Sequence, residues 1–556
     1  MVKNLRKKIV IYQVLPRLFG NTNKNCIPNS SYEINGSGKL ESFTKEVLKN
    51  ISSLGCTHIW YTGVIEHATK CSFPIFSIYA NHPSIVKGIA GSPYSIIDYY
   101  DISPTLSIDI PERINEFKAL VSRSHECNLK VIIDFIPNHL SREYHSDAKP
   151  KGIEDFGERD LKNYPFHPMN NFYYLENSVF VSPAEDSSLN KFIEAPAKAT
   201  GNDCFVHNPS LNDWFETVKL NYGVDYTDGH KEYFYPIPET WIKMEDVLIY
   251  WLKTGVDGFR CDMAGMVPVE FWSWVTKRIR KQFPDTLFIG EIYDPGRYCE
   301  YFDKGGFDYL YDKVGLYDTL KAVIRQETGA GSISRCWQLL GESEDRMVNF
   351  LENHDEQRIA SDFFAGDPLK AIPALVVSLM LNRSAFMIYF GQELGERGMD
   401  AEGYSEVDGR SSIFDFWSVR TVREWLTGES NPGIREIYKK LLNIAIQEVS
   451  INRGEKYDLQ FVNPASSYYN PDHLFSFIRS CEDSFVLAVV NFSNKYYKAA
   501  VKIPSEALAH LKLLDESVYK TENLLTNGKG EYYLSSNKNI EVEIGEYGVY
   551  LIKFSL

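Results

Sequence analysis

Short apolar runs alternate with stretches whose apolar residues recur every three to four positions through about the first 445 residues of this 556-residue chain. Lys8–Val14, His58–Thr62, Val131–Phe135, Gly258–Cys261, Leu287–Ile289, Phe307–Tyr311, Val348–Phe350 and Ala385–Tyr389 read as strands. Phe43–Leu54, Ile110–Asn128, Trp241–Lys253, Val269–Gln282 and Pro373–Leu381 read as helices between them. Eight strands alternating with helices predict an α/β fold, a (β/α)8 TIM barrel closed by right-handed crossovers. One connection departs from the alternation. From Leu140 to about Glu239 the chain is rich in Asn, Asp, Pro and aromatics, too long for a plain loop, and reads as an insertion after the third strand. After about Glu448 the pattern shortens. His473–Arg479, Phe485–Phe492, Lys498–Ile503, Tyr532–Leu534, Ile540–Glu543 and Gly548–Phe554 alternate apolar with polar, and Asn, Ser and Gly separate them. They predict a C-terminal antiparallel β-sandwich. The expected division is a barrel over 1–139 and 240–448, an inserted domain over 140–239, and a sandwich over 449–556.

Composition narrows the classes of partner. A net charge of −15 argues against nucleic acid and against an anionic membrane, and fits a neutral ligand. With 35 Tyr, 33 Phe and 9 Trp there are many faces to stack on sugar rings, although aromatics also fill large cores. No apolar run is long enough to span a bilayer. The basic start, MVKNLRKKIVIYQ, leads into a first strand and does not read as a signal peptide. Nine scattered Cys without a CxxC read as reduced, buried thiols. The expectation is a cytoplasmic protein; its oligomeric state is not legible.

The chemistry lies where strands end. Val131–His139 (VIIDFIPNH), Asp257–Ala264 (DGFRCDMA), Leu287–Tyr293 (LFIGEIY) and Val348–Asp355 (VNFLENHD) each run from apolar residues into a polar cluster. In a parallel barrel such ends converge on one site. One strand-end acid reads equally well as a helix cap, but four such ends together favour a site. Hydrolysis of an acetal needs one acid to protonate the leaving oxygen and one carboxylate to attack or to activate water. Arg260 lies two residues before Asp262, on the same strand face, and is expected to keep Asp262 ionised, with a depressed pKa, as a nucleophile. Glu291 ends a strand rich in Leu, Phe and Ile, an apolar setting expected to raise its pKa and suit a proton donor. His139, His354 and Asp355 suit hydrogen bonds to sugar hydroxyls that tighten as the ring distorts.

These segments resemble the α-amylase superfamily, glycoside hydrolase family 13. DFIPNH (134–139), GFRCD (258–262), Gly290-Glu291 and ENHD (352–355) are similar to its four signature regions. CTHIWYTGVIE (56–66), SPYSIIDYY (92–100), VKLNYG (218–223) and AFMIYFGQELG (385–395) are similar to weaker ones. The resemblance implies Asp262 as nucleophile, Glu291 as general acid/base and Asp355 as the acid that clamps the sugar. It also implies substrate contacts from Tyr94, Asp98, His139, Arg260 and His354, and a retaining mechanism on α-1,4-linked glucans or maltodextrins. The related alternatives are an α-glucosidase, a transglycosylase or an isomerase. A non-catalytic carbohydrate-binding relative is the second class, and such relatives lose one or more of the acids present here. Gly265-Met266 stands where many members have Lys-His, which removes an acceptor contact and one calcium ligand. Asn138 keeps a ligand position, but a single Asn is far from the roughly 6–8 oxygens a calcium ion takes, so no cofactor is required, and calcium at Asn138 or within the Asn- and Asp-rich insertion stays the alternative.

Secondary candidates remain. Tyr173, Tyr174, Trp214 and Phe215 read either as acceptor subsites or as the core of the insertion. Trp272 and Trp274 read as packing or substrate contact. Asp408-Gly409-Arg410 borders the cleft or forms a surface turn, and His58 and His67 flank the second strand.

Overall fold

The structure is a computed structural model and describes residues 7–184 and 190–556. The eight expected strands form one closed parallel barrel: β1 (Val10–Val14), β2 (His58–Tyr61), β3 (Lys130–Phe135), β4 (Gly258–Cys261), β5 (Leu287–Gly290), β6 (Tyr309–Tyr311), β7 (Met347–Phe350) and β8 (Ala385–Tyr389). β1 closes the ring by pairing with β2 on one side and β8 on the other. Alternation explains why both faces are apolar. Ile11, Trp60, Ile132, Ile289, Val348 and Met387 fill the barrel interior. Their neighbours Tyr12, Ile59, Ile133, Phe288, Met347 and Phe386 face the surrounding helices.

The helices include α1 (Lys45–Ser53), α2 (Arg113–Glu126), α3 (Glu239–Lys253), α4 (Val269–Gln282) and α5 (Ile372–Met380). Thr44 caps α1 by accepting from the Val47 amide. α5 is buried on every side. A helix apolar all round needs cover all round, and here the barrel and the C-terminal sheet supply it.

The insertion leaves the barrel after β3 as an antiparallel pair, His139–Ser141 against Thr217–Lys219, with His139 opposite Lys219. Its own small core contains Phe180, Ala197 and Phe215. The C-terminal region holds β9 (Glu455–Asp458), β10 (Leu474–Cys481), β11 (Ser484–Asn491), β12 (Tyr497–Val501), β13 (Ser517–Asn523), β14 (Lys529–Leu534), β15 (Ile540–Ile544) and β16 (Val549–Ser555). Six strands form an antiparallel sheet in the order β9-β10-β11-β16-β13-β14, and β12-β15 form a second. One face of the large sheet packs on the small sheet and the helix Ser505–His510. Phe475, Phe477, Val486 and Val490 on the other face join the barrel's core. The expected barrel and C-terminal antiparallel β region are both present. In the C-terminal region β9 and β13 went unanticipated, as did the antiparallel pair Ile65–His67 and Ile96–Ile102 beside the barrel. No helix among the described residues is long and apolar enough to cross a membrane.

Candidate active site

The barrel ladder runs one residue past β4 and β5: the Asp262 amide donates to Phe135 O at 2.8 Å, and the Glu291 amide to Cys261 O at 3.1 Å. Both acids therefore leave their strands side by side at the same rim. Arg260 lies beneath them, wholly buried. Its Nη1 is 2.6 Å from Asp262 Oδ1, and its Nη2 is 2.7 Å from Glu291 Oε2. The same guanidinium lies 3.6 Å from Asp134 and near the rings of Trp60, Tyr94 and Tyr311.

The two carboxylates are held unequally. Glu291 Oε1 accepts from the Tyr293 hydroxyl at 2.6 Å, and Oε2 accepts from the Met263 amide at 2.8 Å. Met263 reaches that position in a left-handed conformation, φ 42°, which is strained for a side chain of its kind. The setting of Glu291, expected to be apolar, is polar: two hydrogen-bond donors and the Arg260 charge. Asp262 gives one oxygen to Arg260, while Oδ2 has no hydrogen-bond partner among the described residues. The expected depression of its pKa is not found. Burial pushes the Asp262 carboxyl above the ordinary range, and Arg260 offsets only part of that.

Asp355 completes the group. His354 Nε2 lies 3.2 Å from its carboxylate and hydrogen-bonds the Tyr94 hydroxyl, while Gln13 reaches His354 Nδ1 at 2.8 Å. Burial and Arg260 lower the His354 pKa to about 3, so the ring is neutral. Asp355 leaves 43 % of its side chain open to the cleft, yet its buried surroundings and the Glu291 charge push its pKa up to about 6. His139 stands across the cleft, with Nε2 3.9 Å from Asp262 Oδ2. The cavity these residues line has a volume of about 260 Å³ and also takes in Tyr94, Trp214 and Tyr293.

The structure thus brings Asp262, Glu291, Asp355, Arg260, His139, His354 and Tyr94 together. It does not bring Asp98 there. That carboxylate is buried and fully used by Ser146 Oγ and the amides of Tyr100, Asp147 and Ala148, so it pins the start of the insertion and does not meet a substrate. Of the four aromatics of the insertion only Trp214 lines the cleft, beside the His139 ring. Tyr173, Tyr174 and Phe215 are buried. Trp272 packs between Phe135 and Phe307, and Trp274 lies against Trp241, both away from the cleft. His58 sits at the opposite rim beside Asp257 and Lys130, and His67 pairs with Arg17. Arg410 comes near enough for its charge to lower the Asp355 pKa slightly.

Sequence reading missed Tyr293, Met263 and a buried ion pair, Lys87–Glu216 at 3.0 Å, in the cleft wall. Only Tyr293 left a signal, two residues after Glu291 on an extended segment. The wall itself is two loops joined by the Ala90 amide on Phe414 O at 2.9 Å and by Arg17, which donates to Ala90 O and Ile413 O.

Asn138, the one candidate metal ligand, is committed. Its Oδ1 accepts from Lys219 Nζ at 2.6 Å, and its amide donates to Gly201 O at 2.7 Å. A buried ammonium at that oxygen does not fit a divalent cation beside it. No group of three or more His, Cys, Asp or Glu among the described residues could hold a metal.

Comparison with known proteins agrees with this geometry. The family model "Alpha amylase, catalytic domain" matches residues 13–430. Neopullulanase 2 of Thermoactinomyces vulgaris is 23% identical over 514 residues, which cover 90% of this chain and 72% of that protein. An alpha-glucosidase of Apis mellifera is 23% identical over 628 residues, 99% of this chain and 94% of its own. The solved structure of a noncanonic maltogenic alpha-amylase from Thermotoga neapolitana superposes with a TM-score of 0.64 at 18% identity, covering 99% of both chains.

Proposed function

We infer the activity from a premise: this chain belongs to the alpha-amylase family of glycoside hydrolases. We propose that it hydrolyses α-1,4-glucosidic bonds of maltodextrins with retention, through a glycosyl intermediate on Asp262. The observation that carries this reading is the unequal treatment of the two carboxylates under Arg260. Asp262 Oδ2 is buried and idle, as an attacking oxygen has to be. Glu291 is held at both oxygens, as a group that must deliver a proton to a fixed point has to be.

In this proposal Asp262 Oδ2 attacks the anomeric carbon as Glu291 protonates the departing oxygen. Glu291 then takes a proton from water, and that water releases the sugar from Asp262. One guanidinium touching both carboxyls favours the separation of about 5–5.5 Å that retention needs. Asp355 and His354 hold hydroxyls of the distorted ring, Tyr94 lies against it, and Arg260 keeps both acids in place. The relatives' names, neopullulanase and alpha-glucosidase, support an α-glucan substrate. Nine unpaired cysteines support a reducing, cytoplasmic setting.

The test is incubation with a 5-fluoro-α-glucosyl fluoride followed by peptide mass analysis, alongside product analysis on maltoheptaose. A glycosyl adduct on Asp262, with shorter maltooligosaccharides from the wild type only, is expected. An adduct elsewhere, or equal hydrolysis by Asp262→Asn, overturns the assignment. Products longer than the substrate would assign the release step to a sugar hydroxyl instead of water.

A further inference from the structure

Lys219 is 3 % exposed and lies outside the group of acids. Its ammonium has three protons to place, and three neighbours stand around it. Asn138 Oδ1 is 2.6 Å away, Asp203 Oδ1 is 2.6 Å away, and the Tyr226 ring centre is 5.6 Å away. Asn138 belongs to the segment leaving β3, Asp203 to the middle of the insertion, and Lys219 to the strand that brings the chain back. One buried positive charge therefore ties three separate passages of the chain together at the catalytic rim.

The ammonium also removes an ambiguity. An amide side chain has two orientations that differ by exchange of O and N. A cation that only donates requires the Asn138 oxygen to face Lys219. The Asn138 nitrogen then points the other way, where it donates to Gly201 O at 2.7 Å and meets His139 Nδ1 at 3.1 Å. Nδ1 accepts that bond, so the proton of the neutral ring sits on Nε2. Nε2 is the nitrogen that faces the idle oxygen of Asp262 at 3.9 Å. A donor is thereby presented to the cleft at the place where a hydroxyl of a bound sugar would lie.

We propose that Lys219 is a built-in cation: its ammonium does the joining work of a bound divalent ion at this rim and, by orienting Asn138, fixes the tautomer of His139 that faces the nucleophile. Lys219 is a positioning residue; it touches neither the reacting atoms nor the substrate. The joining role stands apart from the proposed reaction, and only the kinetic readouts rest on it.

Two measurements test it. In the first, the wild-type enzyme is treated with excess EDTA and then with millimolar calcium. Its Tm and its rate on maltoheptaose are expected to stay unchanged in both. A fall in Tm with EDTA that calcium reverses overturns the proposal whatever the activity does, and leaves the glycosidase reading untouched. In the second, Lys219→Met and Lys219→Arg are compared. Lys219→Met is expected to lower Tm by several degrees and kcat by on the order of 100-fold, with little change in KM and no recovery in calcium. Lys219→Arg, which keeps a cation, is expected to recover most of kcat.

The split between kcat and KM, and its rescue in Lys219→Arg, separate positioning from mere support. A Met variant with the wild-type kcat sinks the idea. If that variant does not fold, the EDTA measurement decides alone.

Discussion

Acids stand at both ends of the barrel's strands, and the two rims treat them differently. Where strands begin, Asp257 accepts from the Val131 amide at 2.7 Å and from His125 at 2.8 Å. Asp308 accepts from the Phe288 amide at 2.9 Å and from Arg280 at 2.6 Å. Where strands end, Asp262 keeps one oxygen idle and Asp355 opens onto the cleft. Asp257 and Asp308 each use one oxygen to tie a strand amide to a basic side chain, and so explain themselves as structure. The Asp262 oxygen without a donor costs stability and stands in the cleft beside Glu291 and Asp355, and that placement points to chemistry.

The sharpest break of this comparison is a pair of variants, one per rim. Asp262→Asn is expected to lower hydrolysis by on the order of 10⁴-fold or more, with Tm at or above the wild-type value. Asp257→Asn is expected to keep near wild-type kcat and to lose about 1–3 kcal/mol in denaturant unfolding. Equal losses of activity in the two would remove the distinction. Next in size is Arg260→Met, which strips two buried carboxylates of one cation. A stability loss of about 3–5 kcal/mol, together with loss of turnover, is expected in the same two assays.

Tyr293→Phe sharpens the contrast within the cleft. It removes the hydrogen bond from the Tyr293 hydroxyl to Glu291, and kcat/KM should fall roughly 10–100-fold with a stability loss of about 1 kcal/mol. An unchanged kcat/KM would show that the hydroxyl does not position Glu291. The smallest effect concerns pH. Asp355 titrates at about 6 in the folded protein against an ordinary value of 3.8. A raised folded pKa means the protonated form is favoured by folding. That contribution is complete below about 3.8 and is lost as pH rises through about 6. Asp355→Asn, which keeps the uncharged form, is therefore expected to gain Tm relative to the wild type as pH rises through that window, measured by calorimetry. A variant that instead loses Tm relative to the wild type over the window would reverse the sign.

The barrel was legible because a strand covered on both faces has to be apolar along its whole length, and such runs stand out from helical periodicity. β13 was not legible because only Tyr519 of its residues is buried; β9 escaped because Glu455–Asp458 forms the polar edge of the sheet. In the site, the acids and Arg260 carried short-range patterns. Lys87–Glu216, Lys219–Asn138 and the engagement of Asp98 did not, because each joins residues brought together only by the folded insertion. The expected depression of the Asp262 pKa failed for a related reason. A neighbour two residues away on a strand can be read from sequence, but the depth of burial that outweighed it cannot.

The pairing of β1 with β8 has a consequence for how the protein is made. Val10 meets Phe386, so during synthesis the barrel's first strand waits for its last. At about 5–20 residues per second that wait is on the order of 20–75 s. Until then β1 is an apolar strand with an unsatisfied edge, and the nascent chain depends on being kept from its neighbours. Fragments ending before Ala385 should accumulate as aggregates, and the full chain should gain soluble yield when synthesis is slowed by cooling or chaperones are abundant.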